Sequence, residues 1–126
     1  MKNFKELKIW QKGFQIAKNC FAITRHFPQQ EKYGLTSQIT RAGVSIPSNI
    51  AEGSGRSSAN DYKRFIEIAL GSCFEVEIQL MIAKELSYGQ EELINQTLFL
   101  LQEEEKMLMA FGKALNLTAN SYQLEK

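Results

Sequence analysis

The sequence predicts an all-α fold, an up-and-down four-helix bundle whose second helix is kinked at a proline. Three observations carry that expectation. Apolar residues recur at three- and four-residue spacing in four separate stretches. Short turn signals divide these stretches: His26-Phe27-Pro28, Gly53-Ser54-Gly55 and Tyr88-Gly89. The chain has 126 residues, 44% of them apolar and 23% charged, with two prolines, which suits one ordinary domain with a real core. That domain is expected over residues 1–116, followed by a polar, flexible tail over 117–126.

Helix one is expected from Phe4 to Arg25. Leu7, Trp10, Phe14, Ala17 and Phe21 form a seam with bundle-core spacing. A second row, Ile9, Ile16, Cys20 and Ile23, lies about 120° round the wheel. Two rows exceed what one core needs, so the second is assigned to contact between subunits. Lys5, Lys8 and Lys12 share the polar boundary, either as a solvated face or as a phosphate-contacting strip. His26, the only histidine, falls at the helix end, where its charge would suit the dipole; it is read as structural.

Helix two carries Leu35, Ile39, Ala42, Ile46 and Ile50 in helical phase on both sides of Pro47. A proline inside a helix removes one backbone bond and clashes with the carbonyl four residues back, here that of Gly43. The unbroken phase favours a kinked continuous helix. The other reading restarts the helix with Ser45 as N-cap and Pro47 in the first turn. Arg41, Ser45, Ser48 and Glu52 make a polar stripe that could form a network, as helix–helix glue or as a ligand site. Ser58 followed by Asp61 resembles a capping box that opens helix three.

Helix three, about Ala59 to Leu86, repeats Tyr62, Ile66, Ala69, Cys73, Val76, Leu80 and Ala83 as a heptad seam, with Phe65, Phe74, Met81 and Ile82 widening the arc. Lys63 and Arg64 occupy its first turn, where the dipole disfavours them; with Arg56 they form a basic cluster at one end of the bundle. Helix four starts near Gln90, with Leu93, Thr97, Leu100, Met107, Phe111 and Ala114 on its seam. Glu104 falls on that seam too. A buried carboxylate is costly unless paired, so Glu104 is expected to meet Arg41 or another basic group.

The net charge is +1, yet residues 1–64 carry +7 and residues 65–126 carry −6. Such asymmetry fits either a basic surface for nucleic acid or complementary faces within or between copies. Catalysis finds little support. One histidine cannot supply the two Glu-x-x-His pairs of a di-metal bundle, no Cys/His set suits zinc, and no nucleophile motif occurs. Glu75, Glu77 and Glu104 could offer oxygens to a hard cation, but solvated or paired glutamates are the simpler reading. No metal and no cofactor are expected. Cys20 and Cys73 fall on apolar positions and read as buried, reduced thiols, which together with a charged N-terminus and short apolar runs places the chain in the cytoplasm, away from membranes.

Tyr33-Gly34-Leu35, the run from Arg41 through Ala42-Gly43-Val44-Ser45-Ile46-Pro47-Ser48-Asn49-Ile50-Ala51-Glu52 to Gly53, and Gly55-Arg56 closely resemble the bacterial family named after proteins encoded in 23S rRNA intervening sequences. Phe4-Lys5-Glu6-Leu7-Lys8-Ile9-Trp10-Gln11-Lys12 fits the same family, as do Gly71-Ser72, Glu75-Val76-Glu77, Leu80 and Ile82-Ala83. The resemblance covers residues 4 to about 115. It implies an up-and-down four-helix bundle assembled as a ring-shaped homopentamer. It also implies kinship with the accessory protein of diversity-generating retroelements, a pentameric bundle that binds nucleic acid and a reverse transcriptase. The family offers no established catalytic residues to carry over. The expectation is therefore a non-enzymatic, self-assembling platform for nucleic acid, RNA first, or for a nucleic-acid-handling protein. Lys5, Lys8, Lys12, Arg56, Lys63 and Arg64 would be its phosphate contacts. The alternative is an oligomeric scaffold that binds a protein partner and no nucleic acid.

Overall fold

Helix α1 (Lys8–Thr24) follows a 3-10 turn at Phe4–Glu6, in which the Asn3 side chain accepts a hydrogen bond of 3.0 Å from the Lys5 backbone N–H. The remaining helices are α2 (Leu35–Ser54), α3 (Ala59–Glu85) and α4 (Glu91–Leu124), with a second 3-10 turn at Gln29–Glu31. The computed structural model describes residues 3–124, with side chains to Thr118. Each helix packs on its neighbours in the chain, and α1 packs on α4 to close the bundle. The turns are short, so consecutive helices run antiparallel.

α2 is one helix through Pro47, which is itself buried. The phase of the apolar stripe, not the proline, sets the outcome: Ile39, Ala42, Ile46 and Ile50 all face the core. The Asn49 side-chain amide donates to the Ser45 carbonyl at 2.8 Å and to Ser45 Oγ at 2.9 Å, adding polar contacts beside the proline. α3 opens as its sequence predicts, with Ser58 Oγ accepting from the Asp61 N–H at 3.1 Å. α4 continues as helix to Leu124, beyond the expected domain end at residue 116; Glu125 and Lys126 of the expected tail lie outside the described residues.

The α3 seam lies in the core from Ile66 to Ala83, with Tyr62 half-buried at its start. In α1 the expected outer row turns inward, while of the expected seam Ala17 stays buried and Leu7 and Trp10 are half-buried against the core. Ile9, Ile16, Cys20 and Ile23, expected at a subunit contact, form the core of the single chain, and Ile16 is 0% exposed. Phe14 and Phe21, expected inside, are 43% and 51% exposed. Both rows carry bundle spacing, so the close approaches decide between them. A Cβ on Gly43 would lie 2.9 Å from Cys20 Sγ, and one on Gly13 would lie 3.0 Å from Ile46 Cγ2. Gly13 completes the inner row as 9-13-16-20-23, an unbroken four-three alternation with a hole in it that Ile46 fills. In α4 the core positions are Ile94, Thr97, Leu101, Glu104 and Leu108, one residue on from much of the expected seam, and Ala114 is exposed.

Candidate functional site

The antiparallel order brings the start of α1, the α2–α3 turn and the start of α3 to one end of the bundle, so Lys5, Lys8, Arg56, Lys63 and Arg64 lie at the same end. Most of the expected phosphate contacts are nonetheless engaged. Lys12 Nζ bonds Glu103 Oε1 at 2.9 Å, Lys63 pairs with Glu67 at 3.3 Å, and Arg64 pairs with Asp61 at 3.2 Å. Arg56 lies 3.6 Å from Glu52 and 3.8 Å from Asp61. Arg56 and Arg64 also stand over the Phe65 ring, each 4.6 Å from its centroid. Lys5 and Lys8 are exposed and form no ion pair among the described residues. Part of the charge asymmetry is thus resolved inside the chain, by the Lys12–Glu103 bridge between its basic and acidic halves.

The polar network expected from Arg41, Ser45, Ser48, Glu52 and Glu104 does not assemble. Arg41 and Ser45 line a polar groove between α2 and α3 with Tyr33, Ser72 and Glu75, where Ser45 Oγ and Ser72 Oγ share a hydrogen bond of 2.8 Å. Ser48 turns toward α1, and Glu52 reaches Arg56. Seven- and four-residue spacing placed these residues on one side of a helix, but that side spans two different grooves. Glu104 is separate from all of them. It is 0% exposed, and neither carboxyl oxygen has a hydrogen-bond partner among the described residues. It does not meet Arg41. Its Oε2 lies beside Gly13, and the nearby Lys12 is held by Glu103. Burial pushes the Glu104 carboxyl up to about 8, with Lys12 opposing, so it is protonated at neutral pH. Burial and the neighbouring Glu77 carboxylate push Glu105 up to about 8 as well.

The thiols are inert. Burial lifts Cys20 to about 12 and raises Cys73 further, with Glu104, Glu105 and Glu77 adding to the latter, and both cysteines are free. Among the described residues no three His, Cys, Asp or Glu side chains are placed to hold a metal ion, and no helix is long and apolar enough to cross a membrane.

What the molecule offers instead is apolar surface. Trp10 stacks on Phe14 with centroids 4.8 Å apart, and Phe4 meets Trp10 edge-on at 5.2 Å. With Phe21, Val44, Pro47 and Ala51 they line an apolar groove of about 360 Å³ between α1 and α2. A second apolar stripe, Ile68, Phe74, Ile78 and Ile82, runs along the outer side of α3, where Ile78 is 59% exposed. Sequence reasoning placed Phe74 and Ile82 in a widened core arc and missed Ile68 and Ile78. Their signal was available, because the heptad seam already fills the inward face and these four fall opposite it at about 100° per residue.

Comparison with known proteins agrees with this architecture. A crystal structure from Bacteroides thetaiotaomicron VPI-5482, of a protein of unknown function from the S23 ribosomal protein family, superposes with a TM-score of 0.74. The two are 24% identical, and the match covers 83% of this chain and 98% of that one, a likeness of fold. No curated protein matches the chain. The sequence profile of the 23S rRNA-intervening sequence proteins matches residues 5–110, nearly the whole bundle. The chain belongs to the 23S rRNA-intervening sequence protein family.

Proposed function

We propose that this chain is a non-enzymatic, self-assembling helical platform of the cytoplasm. The supporting observation is the combination of a complete core with large apolar side chains left outside it. Ile16, Ile46, Leu80 and Leu101 are fully buried within one chain, while Phe14, Phe21, Ile78 and Ile82 are not. Contiguous exposed apolar surface on a small protein marks an interaction site. Five copies in a ring is the number that the family resemblance implies. Light scattering coupled to size exclusion tests the reading. The expected mass is several times the 14.4 kDa of one chain at micromolar concentration, and a single-chain mass at every concentration would overturn it.

A second reading, RNA binding at the basic end, is favoured by one observation: Lys5 and Lys8 are exposed and form no ion pair among the described residues, at the end of the bundle that also carries Arg56, Lys63 and Arg64. Those three would exchange intramolecular carboxylates for phosphates, so affinity should be modest and fall steeply with salt. Anisotropy of a labelled structured RNA is expected to show salt-sensitive binding that is lost in Lys5→Ala, Lys8→Ala. No binding at low salt, or binding unchanged in that variant, would remove the basic end from consideration.

A further inference from the structure

The two exposed apolar surfaces differ in shape and in charge. The α1–α2 surface is a groove, about 17 Å long from Trp10 to Phe21 at 1.5 Å per residue. Its border is cationic. Lys18 lies in the lining, 5.2 Å over the Phe14 ring, and Arg25 is four residues beyond Phe21 on the same side of α1. Both are exposed and form no ion pair among the described residues. The α3 surface is a ridge, about 21 Å from Ile68 to Ile82. Its border is anionic. Glu67 adjoins Ile68, Glu75 is seven residues before Ile82, and Glu85 is seven after Ile78. Only Glu67 is paired within the described residues, to Lys63.

We propose that the α3 ridge of one copy seats in the α1–α2 groove of the next. Ile68, Phe74 and Ile78 would cover Phe14, Phe21 and Val44, while Glu75 and Glu85 approach Arg25 and Lys18. This rests on the self-assembly reading above and specifies its partner as a second copy joined head to tail. Groove and ridge lie on different helices, so each copy keeps one unused half of each kind until the assembly closes on itself. Opposite charge around matched apolar surfaces sets the register and disfavours groove-to-groove or ridge-to-ridge contact.

The test uses two full-length variants, Phe21→Asp in the groove and Ile78→Asp on the ridge. Both residues are at least half exposed, so circular dichroism should be unchanged. Each variant alone is expected at the single-chain mass. Mixed in equal amounts they should give a species of twice that mass, because the intact ridge of the first fits the intact groove of the second and nothing more can add. If the wild type assembles but either variant keeps its full mass, the contact is wrong and self-assembly stands. Two single-chain variants whose mixture stays at single-chain mass would overturn the head-to-tail pairing. A wild type that never exceeds 14.4 kDa removes the self-assembly reading itself. Should either variant lose helicity, Lys18→Glu, Arg25→Glu and Glu75→Lys, Glu85→Lys repeat the mixing experiment with charge alone.

Discussion

Stability should fall as pH rises, and Glu104→Gln should make that fall shallower. The Glu104 carboxyl titrates near 8 in the folded chain against 4.5 for the free group. Below 4.5 both states hold the proton, and the full stability is present. Between 4.5 and 8 the unfolded chain releases a proton that the folded chain retains, and stability drops by about 1.4 kcal/mol per pH unit. Above 8 both states are ionised and the loss levels off. From pH 5 to pH 9 Glu104 alone should cost about 4 kcal/mol, a large share of the stability of a small domain. Glu105 beside Glu77 acts in the same direction. Urea unfolding of wild type and Glu104→Gln across this range reads the difference directly. Parallel profiles for the two proteins would mean that Glu104 is ionised and compensated in the fold, contrary to its unpartnered position.

Replacing Gly43 by leucine should destabilise the chain by more than about 3 kcal/mol, and even Gly43→Ala should cost about 1–3 kcal/mol. In a helix interior alanine normally outperforms glycine by about 1 kcal/mol, so the predicted sign is reversed. The reason is contact. A Cβ at Gly43 would sit 2.9 Å from Cys20 Sγ and 3.2 Å from Cys20 Cβ, both too close, and Cys20 is itself fully buried; the Ala17 Cα at 3.6 Å would be in ordinary contact. Gly112→Ala supplies the control, since its Cβ would meet nothing nearer than Ile66 Cγ2 at 4.0 Å; it should stabilise by about 0.5–1 kcal/mol. Pairing Gly43→Ala with Cys20→Ala should return part of the loss by removing the sulfur. If both glycine variants shift denaturation midpoints equally and in the same direction, α1 and α2 do not approach as closely as described.

These cases show which features the chain announces and which it hides. Helix count, order and type were legible because four stretches hold one apolar phase over many turns, and the Ser58 cap could be named from a single pair of residues. Pro47 within a continuous helix was legible for the same reason. The facing of α1 was not, since two rows shared one spacing and aromatic residues looked the better core. Gly13, with no side chain to register as apolar, was the residue that completed the true inner row. Glu104 was recognised as buried, but its lack of a partner follows from three-dimensional placement: Lys12 reaches Glu103 instead. The basic end was foreseen as a cluster. Its neutralisation by Glu52, Asp61 and Glu67 depends on side-chain reach that spacing only partly encodes.

The two apolar rows of α1 also bear on how the chain finds its structure. Turned by about 120° about its own axis, this helix would offer Trp10, Phe14 and Phe21 to α2 and α4 and still bury a comparable oily area. A hydrophobic collapse has little reason to choose between the two orientations at the outset. The choice comes later, when Gly13 admits Ile46 and Gly43 admits Cys20, contacts that the rotated helix cannot make. Those glycines therefore act as a key for orientation during folding, raising the energy gap between the native arrangement and its nearest competitor. The aromatic row is what the competitor would have hidden. Once the key has engaged, that row is left facing outward.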